Sequence, residues 1–292
     1  MNEKVSNLSQ IAYVRRYIFT DGNEAGVKIA EVNNGKLRFL LNESKALDVS
    51  QLWHEGTNIS FVSKNGLTAR ELPFVRRFEG GMLYACGLDS VGGRDGYELH
   101  GSLHNTPATV TRCECNEEKI VVQAEIRDSA LFGKNLVLRR TVTTAIQSDT
   151  VEIADELCNE GYRDEQYCLL YHVNLGYPML DENCTIEANI ASATPRTPYA
   201  EKKQREMLNI TAPLPHQEET CYYLTLKEPR ISLRNSRLGK TFSLSYSGDT
   251  LPHFVEWKSM ASGDYALGLE PATTLLDDAF KYSHIASHTK KW

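Results

Sequence analysis

The chain has 292 residues, a formal net charge of −6 and 41% hydrophobic residues, a composition that is normal for a globular protein with a proper core. This acidic balance leaves no surplus of basic residues to neutralise phosphates, so we expect neither a nucleic-acid partner nor an anionic-membrane partner. The first residues lack the apolar core of a signal peptide and no apolar run approaches the roughly 18 residues of a membrane span, so we expect a cytoplasmic protein.

Short alternating runs of β type dominate the chain. Residues 11–19 predict either a short helix or an edge strand. Residues 27–32 and 37–41 alternate on either side of Asn33-Asn34-Gly35, a pattern that is typical of a β-hairpin. Residues 199–208, which are rich in Glu, Lys, Gln and Arg, are the most plausible helix. Further alternating runs cover residues 108–115, 120–126, 135–146, 150–157, 166–173, 184–193, 220–226, 231–235, 241–246, 253–257 and 265–268.

Strand-like runs at roughly 8–12-residue spacing with turns between them predict an all-β fold. We expect a large antiparallel β-sandwich with few short helices. It would form a single domain over residues 1–292, with an N-terminal extension at 1–25 and a polar C-terminal tail at 283–292.

The seven cysteines are scattered along the chain. The one close pair, Cys113 and Cys115, has a single residue between its members, where zinc ribbons and redox motifs use two. We therefore expect reduced and mostly buried thiols.

A glycine-rich stretch, residues 80–108, contains His100 and His104 and is the first candidate for an active site. Glycine allows positive φ angles and close approach of the backbone to another group. Histidine is the side chain best suited to move protons near neutral pH. A loop with both properties is typical of an active site.

Two later strands carry polar side chains in apolar surroundings. His172 and Asn174 are two residues apart, so they lie on the same face of their strand. Glu270 follows another apolar strand, and a carboxylate held there would have a raised pKa and could act as a base. Each of these groups also has a structural interpretation, because a hydrogen bond alone can stabilise a buried polar side chain. A metal site made of two or three histidines and one glutamate, as in cupin-type barrels, is a further alternative.

Three motifs in this part of the chain resemble those of a known superfamily. They are Gly80-Gly81-Met82 with Cys86-Gly87-Leu88, then His100-Gly101 with Asn105-Thr106-Pro107-Ala108, and finally Gly268-Leu269-Glu270-Pro271. In this order on an all-β background, they resemble the galactose mutarotase-like superfamily, which contains the aldose 1-epimerases. The resemblance spans about residues 30–280 and implies the supersandwich fold of that superfamily.

The resemblance also implies a reaction. In aldose 1-epimerases a glutamate takes the proton of the anomeric hydroxyl while a histidine protonates the ring oxygen, and the opened ring recloses as the other anomer. By motif position, Glu270 matches the base and His172 matches the acid. His100 matches a histidine that hydrogen-bonds the sugar. The implied partner is a small-molecule sugar, no metal or organic cofactor is needed, and a homodimer is left open.

Two features of that family have no clean counterpart here. Its arginine ahead of the first histidine is matched by Arg76 or Arg77, with Arg94 as a further candidate, and these cations could hold the anion of a phosphorylated sugar. Its sugar-gripping aspartate would fall between His172 and Glu270, where Asp249 and Asp264 lack a matching motif. We expect His104, Asn105 and Asn174 to grip sugar hydroxyls instead.

Three functions therefore stay open on the sequence. The first is an enzyme that exchanges the anomers of an aldose, or a related sugar epimerase or isomerase. The second is a carbohydrate-binding or sensing protein on the same fold without turnover. The third is a metal-dependent, cupin-like sugar isomerase.

Overall fold

Strands make up most of the regular structure. The computed structural model describes residues 3–94, 96–277 and 282–291. The strands within these residues are, in chain order, Tyr13–Ile18 (β1), Lys28–Asn33 (β2), Leu37–Asn42 (β3), Asp48–His54 (β4), Thr57–Asn58 (β5), Tyr84–Leu88 (β6), Ala108–Cys115 (β7), Lys119–Ser129 (β8), Asn135–Ala145 (β9), Glu152–Asn159 (β10), Glu165–Leu175 (β11), Cys184–Pro195 (β12), Thr220–Asn235 (β13), Lys240–Ser245 (β14), His253–Ala261 (β15), Asp264–Ala272 (β16), Ser283–Ile285 (β17) and Lys290–Lys291 (β18).

The helices are short. The α-helices of the described residues are Phe74–Arg77 (α1) and Pro198–Lys203 (α2). Single 3₁₀ turns occur at Leu8–Gln10, Gly22–Glu24, Leu103–Asn105 and Gln204–Glu206. None of the helices in this part of the chain has the length and apolar composition that crossing a membrane requires.

The strands of the described residues form three antiparallel sheets. The first has the order β1-β2-β3-β4-β5 and the second the order β18-β10-β9-β8-β7. The third has the order β12-β13-β15-β16-β11-β17, with β14 paired to β13 and β6 paired to β11. Their apolar faces pack together, since Phe39, Val122 and Leu269 from the three sheets belong to one buried cluster. The predicted all-β antiparallel sandwich is confirmed.

Several local predictions can be compared with the structure. β2 and β3 form the expected hairpin, in which Asn33 pairs with Arg38. The segment at 11–19 contains the edge strand β1, which pairs with β2. Residues 199–208 contain most of α2 and the 3₁₀ turn that follows it. Residues 1–2 and 292, at the ends of the predicted single domain, lie outside the described residues, and the domain limits stay a prediction.

The two faces of β11 have different surroundings, because successive side chains of a strand point in opposite directions. Leu169 and Val173 lie on the face that packs into the sandwich interior. Cys168 and Leu170 lie on the other face, in a separate buried cluster. The chain between β5 and β7 supplies Phe74, Phe78, Tyr84 and Val91 to that second cluster. His172 and Asn174 have the same parity as Leu170, so they lie beneath this covering segment.

One buried arginine connects the three sheets. Arg140 of β9 is 0% exposed and donates to both oxygens of Asp155 in β10, at 2.7 Å from Nη2 to Oδ2 and 2.9 Å from Nε to Oδ1. Its Nη1 donates to Asp48 of β4. The Tyr171 hydroxyl of β11 donates to Asp155 at 2.8 Å, and the Ala85 N–H of β6 donates to Asp48 at 2.7 Å. Two buried carboxylates thus share one guanidinium, and the hydroxyl of Tyr171 and the N–H of Ala85 donate further hydrogen bonds that stabilise their charge.

We predict that Arg140→Met lowers the free energy of unfolding by about 3–5 kcal/mol, because it leaves two buried carboxylates without a counter-charge. The neighbouring Arg139 is the matched control, since its partly exposed side chain pairs with Glu125 and Glu160 near the surface. Arg139→Met is expected to cost less than about 1 kcal/mol. Urea denaturation followed by circular dichroism measures both values, and equal losses would contradict the role given to Arg140.

Candidate active site

His172 and Glu270 lie directly opposite each other on neighbouring strands. The flanking pairs of β11 and β16 are Leu170 with Ala272 and Val173 with Leu269, a register that places His172 across from Glu270. The distance from His172 Nε2 to Glu270 Oε1 is 3.2 Å. Both residues are buried, with exposures of 4% and 1%. Glu270 Oε1 has no hydrogen-bond partner among the described residues, so the two groups approach closely without hydrogen-bond geometry.

Gly268 makes room for this pair. A Cβ atom at this position would lie 2.5 Å from Glu270 Oε1 and 3.1 Å from both His172 Cε1 and Trp257 Cε3. The register explains the crowding, because Gly268 pairs with Asn174 on one side and with Trp257 on the other. A side chain at this position would therefore push the carboxylate or the imidazole away from its partner.

Burial determines where the proton of the pair resides. It raises the pKa of Glu270 well above its usual value, and the nearby carboxylates of Glu219 and Glu256 raise it further, while Arg196 lowers it. Burial also lowers the pKa of His172 well below its usual value, with a smaller contribution from His100. Both shifts favour the form of the pair in which Glu270 holds the proton and the imidazole of His172 is neutral.

His100 completes a compact group with His172. The two imidazole rings are 5.5 Å apart and nearly perpendicular. Burial lowers the pKa of His100 to about 4, so the ring is neutral at pH 7. Its Nδ1 lies 2.9 Å from the carbonyl oxygen of Val91, which can only accept, so Nδ1 carries the proton and Nε2 keeps a lone pair. The residue has φ of +66°, a conformation that few non-glycine residues adopt.

Aromatic rings surround the histidines. Phe78 and Trp257 approach His172 with ring centroids 5.9 and 5.6 Å away. Trp257 also donates its indole N–H to Glu219 at 2.8 Å, and Glu219 itself is exposed. The site thus combines a buried acid–base pair with an amphipathic aromatic ring at its rim.

A second polar group lies on the same face of the sheet. Arg196, just after β12, donates from Nε to Asp277 at 2.8 Å, and the Tyr223 hydroxyl donates to the same carboxylate at 2.5 Å. The positive charge of Arg196 lowers the pKa values of both Glu270 and His100, which places it within electrostatic range of them. None of these three residues stood out in the sequence, because only the pairing of distant strands brings them to this face.

The structure places no aspartate from the predicted interval beside the pair. Asp264 begins β16 and forms an ion pair with Lys64 at 2.8 Å, and Asp249 is exposed in the turn before β15. Two glutamates from that interval, Glu219 and Glu256, act on Glu270 instead, because their negative charges raise its pKa. No motif marked either of them.

The remaining predicted ligands fall into two groups. Asn174 is fully buried beside His172 and donates Nδ2–H to the carbonyl of that residue at 2.9 Å. His104 is buried with Nδ1 2.6 Å from Asp48, and its ring stacks on Tyr84 with centroids 3.7 Å apart. Asn105 accepts from the Lys45 ammonium at 2.7 Å. Asn174 thus lies beside the pair, whereas Tyr84 lies between His172 and His104.

The three arginines differ in position. Arg77 is 6% exposed and forms an ion pair with Glu98. Arg76 is exposed on the outer side of α1. Arg94 is exposed and lies over the rings of Tyr97 and Tyr282, 4.7 and 4.9 Å from their centroids. Of the three arginines, Arg77 is the one that is buried next to the site. Roles in sugar binding stay predictions for all of these residues.

The cysteines and histidines do not combine into a recognisable metal site in the described chain. All seven cysteines are free thiols, and five of them are buried. No group of three or more His, Cys, Asp or Glu side chains has an arrangement that could hold a metal ion in residues 3–94, 96–277 and 282–291.

A cavity of about 1530 Å³ lies on the opposite side of the third sheet. Tyr171 and Val173 of β11 line it, together with Phe242 of β14. His172 and Glu270 project from the other face of the sheet and do not line this cavity. The candidate active site is therefore defined by the chemistry of its residues, and the cavity belongs to the sandwich interior.

Comparison with known proteins agrees with the fold. A "putative aldose 1-epimerase" from Klebsiella pneumoniae superposes with a TM-score of 0.85 at 19% identity, covering 95% of this chain and 80% of that one. A galactose mutarotase-like protein from Clostridium acetobutylicum superposes with a TM-score of 0.73 at 14% identity, covering 97% and 96% of the two chains. At such identities the likeness shows the fold alone. Comparison of the sequence with curated proteins finds no match.

A family model with the description "Domain of unknown function (DUF4432)" matches residues 24–281. Because this match spans most of the chain and the structure superposes on galactose mutarotase-like proteins, the protein belongs to the DUF4432 family and has the galactose mutarotase-like fold.

Proposed function

We propose that this protein interconverts the anomers of an aldose by opening and reclosing the sugar ring, with Glu270 as the base and His172 as the acid. The observation that carries the proposal is the 3.2 Å approach of His172 Nε2 to Glu270 Oε1 within a buried, aromatic-lined site. The anomeric hydroxyl and the ring oxygen of an aldose are bonded to the same carbon. An acid and a base that act on these two oxygens must themselves be close together.

The proton balance of the reaction uses both forms of the pair. Glu270 takes the proton of the anomeric hydroxyl while His172 gives a proton to the ring oxygen, and the bond between the anomeric carbon and the ring oxygen breaks. The open aldehyde then faces a protonated Glu270 and a neutral His172. After rotation of the aldehyde, the reverse transfers close the ring on the other face. The pair therefore holds one proton before and after ring opening, and no net proton is consumed.

In the free protein burial favours the form with the proton on Glu270. The proposed ring opening therefore requires the proton to move from Glu270 to His172 when the cyclic sugar binds. Hydrogen bonds from sugar hydroxyls to Glu270 would favour its carboxylate, as the positive charge of Arg196 already does. The close approach of the two groups makes this transfer short.

Other residues of the site would hold the sugar. His100 Nε2 keeps a lone pair that can accept from a hydroxyl. Trp257 offers its ring, and the exposed carboxylate of Glu219 is bound to its indole N–H. We propose that Glu219 grips hydroxyls in place of an aspartate, because it lies beside Glu270 and has free lone pairs at the rim.

We predict that Glu270→Gln slows anomer exchange by about 10²- to 10⁴-fold, because an amide cannot accept the hydroxyl proton. The measurement is the anomer exchange rate by NMR over a panel of neutral and charged aldoses. Full activity in the variant would refute the role of Glu270. Binding of a sugar without exchange in the wild-type protein would favour a carbohydrate-binding function instead.

The same variant provides its own folding control. Because burial raises the pKa of Glu270, the folded protein binds more protons than the unfolded chain above about pH 4.5, so ionisation lowers stability as the pH rises. Glutamine does not ionise, so the variant does not lose stability in this way as the pH rises. We therefore expect a melting temperature at or above that of the wild type, with a difference that grows from pH 5 to pH 8, and a lower value would indicate misfolding.

We predict a broad plateau in the pH dependence of kcat/KM, because the pair is active while it carries one proton. On the acid side the pair gains a second proton only below the usual histidine pKa of 6.5, since burial lowers the pKa of His172. On the alkaline side it loses its only proton well above the usual glutamate pKa of 4.5. A profile that falls as the pH drops through 6.5 would contradict the shared-proton account.

We predict that Gly268→Ala slows exchange by about 100-fold, because its methyl group would displace the Glu270 carboxylate by roughly an ångström. Gly248→Ala is the matched control, since its Cβ would meet its nearest neighbour, Pro229, at an ordinary 3.5 Å. The exchange assay and a thermal melt are run on both variants. If the two variants are equally active, the space at Gly268 has no role in catalysis.

A further inference from the structure

A second polar cluster lies next to the Glu270–His172 pair. We call it the Lys45 chamber, and its residues come from the turn before β4, from α1 and its C-terminal end, from β6 and from the 3₁₀ turn before β7. Five of them are at most 7% exposed and the sixth is half-buried. The members are Lys45, Arg77, Glu79, Tyr84, His104 and Asn105.

The chamber contains an unusual concentration of unpartnered polar atoms. Arg77 Nε, Glu79 Oε2, Tyr84 Oη, His104 Nε2 and Asn105 Nδ2 are all buried and have no hydrogen-bond partner among the described residues. Buried polar atoms in native proteins nearly always have a partner, and several orphans in one place indicate a group that binds there. None of these atoms takes part in the acid–base pair.

Donors outnumber acceptors in this cluster. The Lys45 ammonium uses one proton on Asn105 Oδ1 at 2.7 Å and has two more to give. Arg77 Nε, Asn105 Nδ2 and Tyr84 Oη add three unused donors. Burial raises the pKa of Glu79, which favours its protonated, donating form. Glu98, a carboxylate next to the cluster, is already paired with Arg77.

The cluster also has more cations than carboxylates while Glu79 keeps its proton. Lys45 and Arg77 are the two cations and Glu98 pairs with Arg77, while burial raises the pKa of Glu79 and lowers that of Lys45. Asp48, which lies nearby, is already bound to Arg140, His104 and the backbone N–H of Ala85. The group that best satisfies such a cluster has several acceptor oxygens and a negative charge, as a carboxylate, a phosphate or a sulfonate does.

The chamber adjoins the candidate active site through Tyr84. This residue pairs with His172 across β6 and β11, and its ring lies 6.4 Å from the ring of His100. On its other side the ring stacks on His104. One aromatic residue thus separates the acid–base pair from the donor cluster.

A strained turn directs Lys45 into the chamber. The next two residues, Ala46 and Leu47, have φ angles of +51° and +55°, although neither is glycine. The turn is held by Ala46, whose N–H donates to Thr106 O at 2.8 Å and whose carbonyl accepts from Arg140 at 3.0 Å. Strain of this kind persists where the surroundings enforce it, and it clusters at functional sites.

We propose that the Lys45 chamber is an anion subsite of the candidate active site, and that the preferred substrate is an aldose that carries an acidic oxygen group. This inference rests on the proposed function for the position of the sugar ring. Lys45, Arg77 and Asn105 set the specificity for charge, while Glu270 and His172 perform the proton transfers. Arg76 and Arg94, the other cations that the sequence suggested for an anion, are exposed.

The test compares matched sugars. D-glucose, D-glucuronate and D-glucose 6-phosphate, with the corresponding galactose series, are titrated into the full-length protein by calorimetry, and anomer exchange is measured on the same samples. We expect one of the anionic forms to bind about 10- to 100-fold more tightly than its neutral counterpart, as charge-assisted hydrogen bonds would give. Comparison of the uronates with the phosphates identifies which acidic group fits.

Three variants locate the effect. Lys45→Met should remove the preference for the anionic sugar and leave the affinity for the neutral sugar within a few-fold, and Arg77→Met should weaken the preference as well. Asn105→Asp, which adds a negative charge to the chamber without removing a cation, should reverse the preference. Lys28→Met is the control, because Lys28 is exposed on the neighbouring strand β2. Thermal melts identify any variant that fails to fold. If Lys45→Met fails to fold, Asn105→Asp still tests the subsite.

The outcomes separate the two claims. Equal affinity for neutral and anionic sugars overturns the subsite, whether or not exchange is catalysed. A preference that survives in Lys45→Met and Asn105→Asp places the anion elsewhere and also overturns it. Preferential binding of the anion without exchange keeps the subsite and refutes the proposed function. Exchange without charge preference supports the proposed function and overturns the subsite. The absence of any sugar binding refutes both the subsite and the proposed function.

Discussion

The shared pairing of Arg140 with Asp48 and Asp155 is the interaction on which the rest of this structure depends. It joins a strand from each of the first two sheets, and through the Tyr171 hydroxyl it reaches the third. Two buried carboxylates would be costly alone, and a buried guanidinium would be costly alone, so the network is stable only as a unit. It fixes the relative positions of the sheets at the point where the candidate active site begins.

From this network a chain of contacts leads to the site. Asp48 holds His104, His104 stacks on Tyr84, and Tyr84 is the cross-strand neighbour of His172. The strand register then places Glu270 opposite His172. The geometry of the acid–base pair thus follows from backbone pairing and packing, and its protonation follows from the burial that this packing produces. The same chain of contacts forms one wall of the Lys45 chamber.

The repeated alternation along the chain was enough to predict the antiparallel sandwich, because period two reports which face of a strand is buried. It also placed His172 and Asn174 on one face. The pairing of Gly268 with Asn174 could not be predicted, because it depends on register between strands nearly a hundred residues apart. Arg196 and Lys45 lie outside any motif, and their positions depend on tertiary contacts. Of the arginines that are near the first histidines in sequence, Arg77 is buried, whereas Arg76 on α1 and Arg94 in the loop after β6 are exposed.

The buried pair is proposed to exchange the anomers of an aldose. The most direct measurement is two-dimensional exchange NMR on the purified wild-type protein with each aldose at anomeric equilibrium. Cross-peaks between the two anomers of at least one sugar, at a rate well above the spontaneous rate and proportional to protein concentration, are the predicted result. Exchange at the spontaneous rate for every neutral and anionic aldose would contradict the account.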